Sequence, residues 1–117
     1  MSENVSFNDN YLYINSKAIK FEFPLLNAIV LADKVVVALD VPDDSDMLDN
    51  IIAFDFNGQP VWKVQAVNEK YPEIKNNSPF VGISKNDNGN VSASNYFGLN
   101  FEISAKDGKI LSKNIGR

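Results

Sequence analysis

A strand–turn–strand unit that occurs twice constrains this chain more than any other feature. One copy runs Phe54-Asp55-Phe56-Asn57-Gly58-Gln59-Pro60-Val61-Trp62-Lys63-Val64. The other runs Phe101-Glu102-Ile103-Ser104-Ala105-Lys106-Asp107-Gly108-Lys109-Ile110-Leu111. Each sets aromatic, acid and apolar residues before a glycine-bearing turn and follows it with an apolar strand. Antiparallel β-hairpins answer to this pattern, because tight turns join antiparallel neighbours only. The first copy predicts a turn opened by Asp55 and closed by a left-handed Gly58. Its register is expected to set Ile52 opposite Trp62 and Asp55 opposite Gln59.

The rest of the chain carries the same signal. Tyr11–Ile14 and the alternating Ile19, Phe21 and Phe23 read as strands either side of Asn15-Ser16-Lys17. Pro24 ends that segment or marks an edge. Leu25–Leu31 and Val35–Val41 flank a turn at Ala32-Asp33-Lys34. Val35-Val36-Val37-Ala38-Leu39 is apolar without alternation, as expected of a strand covered on both faces. Phe80–Ser84 and Val91–Tyr96 flank Asn86-Asp87-Asn88-Gly89-Asn90, and Gly98 predicts a bulge or bend. Residues 42–50 read as an exposed loop, and 68–79 as a polar interval with a short helical turn near Glu69–Tyr71. The expectation is one all-β domain over 1–117, with about eight to ten short antiparallel strands.

Composition narrows the chemistry. The 117 residues include no cysteine and no histidine. Disulfides, thiolate metal sites, imidazole general bases and the common zinc and copper sites are therefore excluded. The hydrophobic fraction of 44% suits a globular chain. The apolar runs are too short for a membrane-spanning helix, and Met1-Ser2-Glu3-Asn4-Val5 has no signal-peptide pattern, so a cytoplasmic setting is expected. The net charge of −4 is split. Residues 1–60 hold ten acids against three lysines, a net of −7, and residues 61–117 hold five acids against eight bases, a net of +3.

The two hairpins resemble those of β-propeller blades of the pyrroloquinoline-quinone-enzyme type. Their starts lie 47 residues apart, near a blade-length period. A propeller needs at least four blades to close, and this chain has room for fewer than three. An antiparallel β-sandwich or one strongly curved sheet is expected instead of a closed propeller. The quinone of that family is held by a full ring of blades, so the resemblance implies no cofactor. The segment from Asn95 to Leu111 is also similar to short all-β bacterial immunity proteins of contact-dependent inhibition and other toxin systems. That resemblance implies a protein that binds a cognate toxin, a nuclease among the candidates, as a heterodimer.

Candidate functional residues follow. Asp40, Asp43, Asp44, Asp46 and Asp49 place five carboxylates within ten residues, which is tolerable only in solvent. A solvated loop is the plain reading. Calcium binding lacks the mid-loop glycine and closing glutamate. A docking surface for a basic partner is the functional reading, since clustered acids steer association. Tyr96 and Phe97 are consecutive, so a regular strand would expose one of them as an interface anchor, whereas a bend at Gly98 would let both tuck in. The second alternative is slightly favoured. The lysines of the second half are too scattered for a nucleic-acid face. Asp55 and Glu102, the best carboxylate pair, are expected to be structural, and Trp62 is expected in the core. The sequence thus predicts binding rather than catalysis, with immunity as the leading role and a structural or adaptor module, pairing with another protein or itself through a sheet edge, as the alternative.

Overall fold

The computed structural model describes residues 4–42, 47–74 and 78–115. Eleven strands and one short helix follow in order: β1 (Val5–Asn8), β2 (Tyr11–Ile14), β3 (Lys17–Lys20), β4 (Leu25–Val30), β5 (Val35–Leu39), β6 (Ile51–Phe54), β7 (Pro60–Lys63), α1 (Val67–Lys70), β8 (Phe80–Lys85), β9 (Val91–Asn95), β10 (Leu99–Ile103) and β11 (Ile110–Ile115). They form three antiparallel meanders, β1-β2-β3, β4-β5-β6-β7 and β11-β10-β9-β8. The all-β reading is correct. Three sheets form where a sandwich or one strongly curved sheet was expected, and Val5–Asn8, absent from the sequence reading, supplies the third strand of the first sheet.

The middle sheet separates two cores. Every residue of β5 is buried. Val35, Val37 and Leu39 face Leu12 and Ile14 of the first sheet. Val36 and Ala38 face Ile83, Val91, Ala93, Phe101 and Ile103 of the third. Alternate residues of a strand point to opposite faces, so an uninterrupted apolar run serves a strand walled on both sides.

The two sequence repeats are structural equivalents: each is the outer hairpin of a four-stranded sheet, β6–β7 and β10–β11. Their pairing differs from the simple register. Trp62 lies opposite Ala53, and Lys63 opposite Ile52, because Val61 bulges between the partners of Ala53 and Phe54. Asp55 does meet Gln59, its N–H donating to the Gln59 carbonyl. One residue bulges in the same way on each edge strand of both four-stranded sheets: Leu26, Val61, Val81 and Leu111. All four are exposed apolar side chains. A bulge leaves its extra residue out of the ladder and twists the strand, which explains exposed aliphatic residues on otherwise alternating strands.

Trp62 joins the second and third sheets. Its ring is buried, and its indole N–H donates to the Ala105 carbonyl at 2.9 Å. Gly108 lies directly on the ring: a Cβ there would come 2.5 Å from Trp62 Cε3. Gly108 also has a φ of +76°, a conformation that costs other residues about 1–2 kcal/mol. Gly89 shares that conformation, at +78°, with open space around it. Gly108→Ala should therefore destabilise the protein by about 2–4 kcal/mol, combining backbone strain with overpacking. Gly89→Ala should cost only about 1–2 kcal/mol. Denaturant midpoints of the two variants measure the difference.

Candidate functional site

One buried side chain organises one end of the molecule. Asn50 is fully buried. Its amide Nδ2 donates to the carbonyls of Leu39 and Phe80, each at 2.8 Å, and its Oδ1 accepts the Phe80 N–H at 2.9 Å. The ends of the 40–50 loop are thereby fastened to each other and to the start of β8. Phe80 pairs with Asn95, and the Tyr96 N–H donates to Ser78 Oγ at 3.0 Å. Asp40 follows Leu39, and Asp49 precedes Asn50. Both carboxylates and the Tyr96–Phe97 turn therefore emerge from the same end. Asp40 is exposed, and Asp49 meets the Lys63 ammonium at 3.9 Å. Asp43, Asp44 and Asp46 lie outside the described residues.

Tyr96 and Phe97 do not tuck in. They form the tip of the β9–β10 hairpin, 62% and 57% exposed, with ring centroids 5.8 Å apart and ring planes near perpendicular. Gly98 takes the left-handed conformation at the turn, not within a strand, so the bend points both rings outward. Asn95 Oδ1 holds the turn by accepting the N–H groups of Phe97 and Leu99. Among the described residues its buried Nδ2 has no hydrogen-bond partner.

The carboxylates of the two repeats hold different turns. Asp55 Oδ1 accepts the N–H groups of Asn57 and Gln59. Asn86 opens a turn of the same kind between β8 and β9, accepting from Asn88 and Asn90 ahead of the left-handed Gly89, as Asn95 does ahead of Gly98. The same Asx-opened turn thus occurs three times, at a [Asp/Asn]-x-x-Gly spacing readable in the sequence. Glu102 has a different role. Its Oε2 accepts the amides of Asn86, Asn88 and Asn90, each at 3.0 Å. Asn86 and Asn90 are oriented by backbone donors to their Oδ1 atoms, so their NH₂ groups face the carboxylate. This nest suits an anion and already contains one. The amides of Asn90, Asn88 and Asn86, in that order, hold the Glu102 carboxyl below the usual glutamate range.

A hollow on the solvent face of the third sheet was not foreseen. It encloses about 480 Å³ and is bordered by Gly82, Ser84, Ser92, Ser94, Asn100 and Asn114. Short side chains at alternating strand positions create it, a signal visible as Ser92-Ala93-Ser94 in β9. Hydroxyls and carboxamides line it, and no ionisable group does. Among the described residues, no cluster of acids has a geometry suited to a metal ion. No helix there is long and apolar enough to cross a membrane.

The arrangement defines a stack of blade-like antiparallel sheets without ring closure. The chain belongs to a family of domains of unknown function, DUF7957, matched over residues 2–115. No curated protein matches it. Among solved structures it is similar to the β-propeller protein BamB from Moraxella catarrhalis, with a TM-score of 0.56 and 11% identity. The match covers 97% of this chain and 35% of that one, so this chain spans about a third of BamB. At that identity the likeness concerns the fold.

The Glu102 nest has a pH signature. Its folded pKa lies below the ordinary value of 4.5. Its stabilisation is therefore complete above about pH 4.5 and is lost as the pH falls through the lower folded value. Glu102→Gln should flatten the acid limb of stability against pH in that window. Urea midpoints between pH 5 and 3 would show the change.

Proposed function

We propose that this domain acts by binding another protein at the end that carries Tyr96, Phe97, Asp40 and Asp49. The observation behind this reading is their convergence through Asn50 and Ser78. Two large rings stand in solvent on a turn with fixed geometry, beside the base of a loop rich in aspartate. Aromatic anchors supply most of the energy at protein interfaces, and a flanking acidic field accelerates encounter with a basic partner. The narrower form of the proposal is immunity. The domain would cap the active site of a cognate toxin, such as a nuclease with a cationic nucleic-acid cleft, in the cytoplasm of the producing cell. Charge complementarity and steric cover would suffice, with no catalytic step.

The test pairs the purified domain with the protein encoded immediately upstream. Tyr96→Ala with Phe97→Ala should weaken the complex at least tenfold, mainly through faster dissociation. Replacing Asp40, Asp43, Asp44, Asp46 and Asp49 with Asn should slow association and flatten its dependence on salt. Unchanged kinetics in both variants would remove this end from the interface. A second reading, an adaptor module that pairs through a sheet edge, is favoured by one observation: among the described residues no strand pairs with the outer side of β1.

A further inference from the structure

Among the described residues the first sheet matches a four-stranded blade without its inner strand. In the second sheet the inner strand β4 is followed by β5, and the end of β5 is joined to the start of β8 through Asn50. The end of β1 meets the start of β4 in the same manner, with the Leu25 N–H donating to the Asp9 carbonyl at 2.8 Å. β1 also packs on β4 as β5 packs on β8. β1 is therefore the counterpart of β5, and among the described residues the first sheet has no counterpart of β4. The effect on burial is large: β5 is buried throughout, whereas Ser6, Phe7 and Asn8 are exposed.

Every other sheet edge is guarded against pairing. The edges β4, β7, β8 and β11 each carry a bulge. Pro24 stands before β4, Pro60 and Lys63 lie in β7, Lys85 in β8 and Lys113 in β11. β3 carries Lys17 and Lys20. Lysines, prolines and bulges are the devices that keep sheet edges from associating. β1, with the sequence Val-Ser-Phe-Asn, has no charge and no proline, and its register with β2 is unbroken.

We infer that β1 is a self-pairing edge, joining a second copy of this chain as an antiparallel β1–β1 ladder across a two-fold axis. The Asn15 N–H donates to the Asn4 carbonyl, so Asn4, Ser6 and Asn8 make the hydrogen-bonded pairs with β2. The N–H and C=O groups of Val5 and Phe7 therefore project from the free edge. A two-fold axis at Ser6 sets Val5 of one copy against Phe7 of the other, which closes four hydrogen bonds. Val5 and Phe7 share the face of Leu12 and Ile14, so the apolar face continues across the axis. Ser6 meets its own counterpart on the solvent face. The strand is uncharged, so two copies meet without the repulsion that the lysine-bearing edges would impose. The pairing is separate from toxin binding, and either proposal stands if the other fails.

In this register the two Ser6 residues form a non-hydrogen-bonded pair with Cα atoms about 4.5 Å apart, within disulfide range. The chain has no cysteine. Ser6→Cys should therefore give an oxidised dimer on a non-reducing gel. Asn8→Cys should not, since its copies would lie about 13 Å apart along the ladder. By light scattering at about 100 µM the wild-type protein should show twice the monomer mass. Ser6→Lys and Ser6→Glu should each be folded monomers by circular dichroism, and mixing them should restore the dimer. A monomeric wild-type protein overturns the inference. A dimer that survives Ser6→Lys, or that Ser6→Cys fails to cross-link, pairs through another surface and overturns it as well.

Discussion

The structure depends on a wall one strand thick. β5 is the only strand among the described elements whose residues are all buried, and both hydrophobic cores rest on it. Val35, Val37 and Leu39 stabilise the contact with the first sheet; Val36 and Ala38 stabilise the contact with the third. Each of the valines and Leu39 contributes about 1.5–3 kcal/mol by leaving water, and Ala38 about half as much or less. Among the described residues both outer sheets pack on the middle one, and the third also meets Val67, Tyr71 and Ile74 of the α1 segment. Closed propellers spread this task over a ring, in which every sheet has two neighbours. An open stack concentrates it in its middle member.

The same geometry explains where exposed groups collect. Bulges release Leu26, Val61, Val81 and Leu111 from the ladders at the sheet edges. Asx-opened turns cap the hairpins, and one of them lifts Tyr96 and Phe97 into solvent. Asn50 and Trp62 lock the second sheet to the third by donating to or accepting from its backbone groups. A scaffold fixed in this way can present rings and acids at constant positions. That is the property a binding surface needs, because preorganised groups lose little entropy on association.

Much of the fold was legible in the sequence. The five-residue run from Val35 announced a strand with two buried faces, and the repeat of 54–64 at 101–111 marked the outer hairpins of two sheets. Trp62 was correctly placed in the core. Its pairing partner was missed, because a one-residue bulge at Val61 leaves no trace in an alternating pattern. β1 was missed because Val5-Ser6-Phe7-Asn8 is short and surrounded by turn-forming residues; only its pairing with Tyr11–Ile14 makes it a strand. Tyr96 and Phe97 were assigned to a bent strand because Asn95 and Gly98 were not recognised as the ends of an Asx turn. The nest around Glu102 depends on contacts between residues 12 to 16 apart, which no local pattern reports.

Native-state hydrogen exchange on the free protein in dilute solution tests the central claim most directly. The amides of Val36, Val37, Ala38 and Leu39 should exchange slowest, at the rate set by global unfolding, while the amides of β1 exchange orders of magnitude faster. If β5 exchanges as readily as β1, or if the first and third sheets keep their protection while β5 loses its own, the strand is not the shared wall on which both cores rest.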